Sequence, residues 1–190
     1  MKRRHFLIGS TMLAAAWPTT LLADTESQRE KLFTALKTAK TESEGRAAEN
    51  AIWQWWLDQA PTRDVRQAID RGMERRESYD FEAAEAAFDI VVRDAPDYAE
   101  GWNQRAFARF LRDNDEGALS DLEKAVELEP KHFGAWSGMF HVLFRMGRTE
   151  VAYSALSRAV DIHPWLRERS MLPPDPDANR PAIKGLEQDL

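Results

Sequence analysis

The 190-residue chain contains no cysteine. Disulfides, thiolate metal sites, cysteine nucleophiles and a lipid anchor on cysteine are therefore excluded. The short motifs of common chemistries are missing too: no glycine-rich phosphate loop, no Gly-x-Ser-x-Gly elbow and no His-Glu-x-x-His pair occurs. Histidine is scarce. Past the first few residues only His132, His141 and His163 remain, none with a second histidine or a carboxylate at metal-ligand spacing. Carboxylate pairs such as Glu82 and Glu85 fall on predicted exposed helix faces and read as solvated charge. Catalytic residues, a metal site and a cofactor are all expected to be absent, and the chain reads as a non-enzyme.

No acidic residue precedes Asp24. Lys2-Arg3-Arg4 form a positive start, Phe6 to Ala16 a mostly apolar run, and Leu21-Leu22-Ala23 a cleavage site, so residues 1–23 read as an export signal. The apolar run is too short, and too interrupted by Trp17-Pro18, to span a membrane. Arg3-Arg4-His5-Phe6-Leu7 also matches the twin-arginine export pattern, and both export routes stay open. The expected location is a bacterial periplasm or exterior, with no stable membrane insertion after signal removal. Taking the three basic residues of the leader from 26 leaves 23, against 32 acidic side chains, a formal charge of −9. That balance argues against nucleic acid and anionic membranes as partners.

What is present is a period. Pro96, Pro130 and Pro164 stand 34 residues apart, and the windows 65–98, 99–132 and 133–166 match slot by slot. The fourth slot holds Ala68, Trp102 and Trp136; the twentieth holds Ala84, Ala118 and Ala152; the twenty-fourth holds Phe88, Leu122 and Leu156. Small residues at slot eight (Gly72, Ala106) and slot twenty allow two helices per window to approach closely. The aromatic or leucine four residues after each alanine shares its helix face. Each closing proline ends the second helix, and Asp80–Phe81, Asn114–Asp115 and Gly147–Arg148 mark the turn within each window.

In period and in its Trp…Gly…Ala-x3-Phe…Pro pattern this stretch resembles the tetratricopeptide repeat (TPR) family. The resemblance covers about half the chain. It implies an all-α, right-handed solenoid of antiparallel helix pairs, because a 34-residue unit buries its apolar face only by stacking on neighbours. Arg71, Arg75, Arg105 and Arg109 depart from the pattern at slots seven and eleven; they read as stems paired with acids such as Glu74 or Asp121. Phe140 occupies the small-residue slot of the third repeat.

Around the repeats, residues 24–64 read as a helical pair, a degenerate repeat or N-terminal cap, with Leu32, Phe33, Leu36 and Ala39 on one helix and Ala48, Ala51, Ile52, Trp55 and Trp56 on the other. Trp53-Gln54-Trp55-Trp56 reads as core where the cap meets the first repeat. Residues 167–190 read as a capping turn and a proline-rich tail, with Trp165 covering the open end of the stack.

The resemblance further implies a concave groove lined by the first helix of each repeat. Mapped onto this sequence it includes Met73, Asn103, Gln104, Phe107, Phe110, Leu111, His141 and Phe144, with Gly134, Ser137 and Gly138 keeping one face small. Phe107, Phe110 and Leu111 beside two amides suit a peptide or protein segment whose side chains the rings bury and whose backbone the amides meet. Phe107 and Phe110 also fit the alternative of a buried core stripe. The carboxylate clamp of some family members is missing, since its slots carry Ile69, Met73, Gly134 and Gly138. The expected role is protein–protein interaction as an adaptor or scaffold. The alternative is a carrier of a small apolar ligand or lipid in a pocket of the stack.

Overall fold

Proline at a fixed interval sets the fold. The computed structural model describes residues 19–174, with side chains from residue 25 onward. The leader expected over 1–23, but for its last five residues, lies outside this range, as does the tail beyond Pro174. The described chain forms α1 (Thr19–Thr38), α2 (Glu42–Asp58), α3 (Arg63–Glu77), α4 (Phe81–Asp94), α5 (Ala99–Leu111), α6 (Asp115–Leu128), α7 (Phe133–Arg145), α8 (Thr149–Ile162) and a 3-10 turn, Arg167–Met171. No strand occurs among the described residues. The architecture is the expected all-α TPR-like solenoid: α3 to α8 pack each on the next, and α3, α5 and α7 touch along the inner face.

Local chemistry repeats with the period. Asp80 and Asn114 cap α4 and α6 by accepting from the N–H groups of Ala83 and Gly117. Before these caps the chain turns through a left-handed residue at the same slot each time: Tyr79 (φ 62°), Asp113 (φ 60°) and Gly147 (φ 75°). The next N–H then closes the turn, from Asp80, Asn114 and Arg148 to the carbonyls of Arg75, Arg109 and Leu143. The indole N–H groups of Trp102 and Trp136 donate to the carbonyls of Pro96 and Pro130, at 2.8 and 3.0 Å. Gly72 is needed because a Cβ there would collide with the buried Phe88 ring. Phe140 is buried beside the rings of Phe144 and Tyr153.

The arginines form a seam. One apolar cluster joins α1, α2 and α5 to α8; a second lies within the first repeat and its exit, from Val65 to Tyr98, with Ala108. Between them Arg105 grips Asp121 through two bonds of 2.7 and 2.8 Å and reaches Asp89, while Arg109 joins Glu85 and Asp121, both at 2.9 Å. Asp121 is thus the acid that Arg105 and Arg109 share. Arg75 lies 3.7 Å from Asp80, and among the described residues no ion pair involves Glu74.

The N-terminal pair is placed differently from a repeat stacked ahead of the first. Helix α2 runs back along the edge formed by the loops that leave each repeat. Its Gly45 lies under Trp165, and a Cβ there would enter that ring. Glu49 faces the buried His163 at 3.3 Å. Trp56 stacks on His132 with ring centroids 4.0 Å apart, and its carbonyl accepts from the Tyr98 hydroxyl at 3.0 Å. From Gly45 to Leu57 a helix advances about 18 Å, enough to cross all three exits. Trp165 packs on this strap at Gly45. Trp55 and Trp56 are core, as expected; the rings of Trp53 and Trp56 meet the loop and helix at His132 and Phe133, while the backbone of Trp56 reaches the exit of the first repeat at Tyr98. Helix α1 adds a bidentate pair from Arg29 to Glu129 and a bond from Lys37 to the Asp161 carbonyl.

Two outcomes follow from these contacts. Tyr79 is 82% exposed in a left-handed conformation, so Tyr79→Gly is expected to raise stability by about 0.5–1 kcal/mol in urea denaturation. The strap is expected to loosen in acid. Glu129 sits below its ordinary 4.5 because the Arg29 pair and the Lys131 N–H outweigh the burial that opposes its charge. Glu49 is lowered by the imidazole of His163, 3.3 Å away. Carboxylates lowered in the folded state stabilise fully above about pH 4.5 and lose that contribution as pH falls through their folded values. Hydrogen exchange below that pH is expected to show α1 and α2 deprotected before α5 to α8; simultaneous loss would refute this order.

Candidate binding groove

A cavity of about 600 Å³ opens on the inner face of the stack. Helices α3, α5 and α7 give its floor, α2 one wall through Glu49, Trp53 and Leu57, and the C-terminal turn another through Leu166, Arg167 and Glu168. Six of the eight residues expected in the groove line it: Met73, Asn103, Gln104, Phe107, Phe110 and His141. Leu111 and Phe144 do not. Both fall at the far end of their helices, where Phe144 packs on Phe140 and Tyr153 instead. Phe107 is 47% exposed and Phe110 half-buried, so neither is wholly inside the stack.

The amides do something other than wait for a ligand. Asn103 and Gln104 are buried and both donate to the carboxylate of Glu100, Asn103 at 3.3 Å. The third donor is His132, whose Nε2 stands 2.9 Å from Glu100 Oε2, both side chains being fully buried. The Nδ1 atom of His132 accepts the Ala135 N–H at 3.1 Å and so caps α7, which places the ring proton on Nε2, toward the carboxylate. A buried carboxylate is tolerated only when its lone pairs are filled. Here all three donors come from within the fold.

Gln104 carries the pattern outward. Its Oε1 accepts from Arg76, whose guanidinium lies over the Phe107 ring, 4.8 Å from the centroid. Arg76 makes no ion pair among the described residues, and burial lowers its pKa against the pull of nearby Glu100. The other acids of the cavity have partners: Glu168 is held low by its bonds with His141 and Ser137, and Glu49 by His163. The small residues Gly134, Ser137 and Gly138 of α7 line the cavity, and two of them also sit close to neighbours: a Cβ on Gly134 would strike Trp53, and one on Gly138 would press on Leu122. The groove slots implied by the resemblance also include Arg76 and Glu100, but sequence reasoning gave neither a role. Trp53 was missed as a groove residue, because nothing in the sequence places the strap over it. Among the described residues no group of three His, Cys, Asp or Glu side chains is placed to hold a metal ion, and no helix is long and apolar enough to cross a membrane.

No family model matches the chain. A TPR repeat-containing protein of Rhizobium etli is 33% identical over 137 residues, 71% of this chain and 66% of that protein. A tetratricopeptide repeat protein 36 homolog of Nematostella vectensis is 37% identical over 75 residues, 38% of this chain and 41% of its own length. Among solved structures, the first TPR of Spaghetti (RPAP3) bound to the HSP90 peptide SRMEEVD superposes with a TM-score of 0.56 at 19% identity, covering 57% of this chain and 86% of that one. With the 34-residue period and the stacked helix pairs already described, these likenesses give the chain the tetratricopeptide repeat fold.

The Glu100 cluster is expected to be the most sensitive polar site of the fold. Glu100→Ala strands three buried donors and is predicted to cost about 3 kcal/mol in chemical denaturation. Glu100→Gln, which keeps acceptor capacity, is predicted to cost clearly less; equal losses would mean that the carboxylate does not organise its neighbours.

Proposed function

We propose that this chain is a non-catalytic adaptor of the bacterial cell envelope that holds a segment of another protein on its inner face. The observation that carries the reading is the cavity itself: an apolar floor of Met73, Phe107 and Phe110, with Phe107 47% exposed, beside the amides of Asn103 and Gln104, which already have partners. Exposed rings in a hollow gain free energy when covered, roughly 25 cal/mol per Å² of apolar surface. The prepaired amides make no demand of their own on a ligand. Export rests on the signal-like leader at residues 1–23. The first TPR of Spaghetti, similar in fold, is bound to the HSP90 peptide SRMEEVD. The chain spans under two thirds of each curated relative's length, so the activity of a whole relative adds nothing here. Ser137 and His141 both lie against Glu168; the hydroxyl meets a carboxylate rather than an imidazole base, which favours a binding role over acyl transfer.

The walls supplied by α2 and the C-terminal turn favour a second reading, a carrier of a small apolar ligand. Native mass spectrometry of protein purified from its exporting host separates the two, since a carrier retains a bound small molecule. For the adaptor, Phe107→Ala with Phe110→Asp is expected to lower partner binding at least tenfold while helical content by circular dichroism stays unchanged. Undiminished binding would overturn the proposal.

A further inference from the structure

Resting on the adaptor reading, we infer that the groove selects partner segments carrying a carboxylate next to an apolar side chain, with Arg76 as the group that recognises the acid. The guanidinium has five N–H donors in a planar fork. One is used, on Gln104. The ring of Phe107 supports one face of the fork, and burial disfavours its charge. A half-buried cation with unused donors and no counter-ion gains most from an anion that enters the same hollow.

Neighbouring arginines show the contrast. Arg105 and Arg109 are tied to Asp89, Asp121 and Glu85, and Arg145 to Asp113 and Asp115. Arg76 alone among these has been left with an amide for a partner. That amide is fixed, because Gln104 donates to Glu100 and Glu100 is held by Asn103 and His132. The guanidinium is thereby oriented before a ligand arrives, and preorganisation of this kind raises selectivity more than area does. Arg76 lies outside the slots of the family's carboxylate clamp, which carry Ile69, Met73, Gly134 and Gly138. The apolar half of the site is Phe107, on whose ring Arg76 lies, with Met73 and Phe110 lining the same cavity. A segment with an acidic residue beside a leucine or aromatic one meets both halves.

The test is selection of a phage-displayed heptapeptide library on the full chain, followed by affinity measurements on synthetic peptides. Selected sequences are expected to place Asp or Glu beside an apolar residue, and a glutamate peptide is expected to bind about tenfold more tightly than its glutamine twin. Arg76→Gln is expected to abolish that preference while retaining the apolar one. Arg76→Lys, which keeps the charge without the fork, is expected to retain part of it and guards against a folding defect in the first variant. Circular dichroism checks both. Peptides that bind through the Phe107 face yet show no acidic preference, or the same preference with Arg76→Gln, overturn this inference and leave the adaptor reading standing. Selected peptides whose binding is indifferent to Phe107→Ala overturn both.

Discussion

The carboxylate of Glu100 sets the constraint on which the inner face depends. It is fully buried, and a charge in that position has to be surrounded by donors or neutralised. The fold surrounds it, using Asn103 and Gln104 from its own helix and His132 from the loop before α7. Each donor is thereby committed. Asn103 and Gln104 become part of the floor, and His132 is fixed in the tautomer that also caps α7. One carboxylate thus ties the second repeat to the third and aims Gln104 at Arg76.

The same histidine ties the groove to the strap. Trp56 stacks on His132, and Trp53 meets both His132 and Phe133 edge-on. Repeat proteins are close to one-dimensional, each unit touching only its neighbours. Helix α2 breaks that pattern by crossing the exits of all three repeats, so distant units share one apolar cluster. The first repeat stands partly apart, with a core of its own and an ionic seam of arginines toward α5. Its α3 nevertheless contributes Met73 and Arg76 to the cavity.

Much of the solenoid was legible because its signals are local and repeated. A proline every 34 residues and alanine at the close approach each act within a turn or two, and three copies in phase reinforce one another; Asp80 and Asn114 add caps in two of the three. The path of α2 was not legible. Its apolar face, with Ile52, Trp55 and Trp56, announces burial but not against what, since an aromatic run suits a preceding repeat as well as a strap. The groove was half legible for a similar reason. Slot arithmetic placed Phe107 and Phe110 correctly on the inner face, but it treated Asn103 and Gln104 as open donors because periodicity says nothing about a buried neighbour. It also carried the surface on to Leu111 and Phe144, where the helices have already run past the cavity.

The central claim is that the inner face of α3, α5 and α7 is where another protein is held. Hydrogen exchange of the full chain, alone and saturated with a bound partner segment, tests it most directly. The account predicts slowed exchange in α3, α5 and α7, with α4, α6 and α8 unchanged. Protection confined to the outer helices would contradict it.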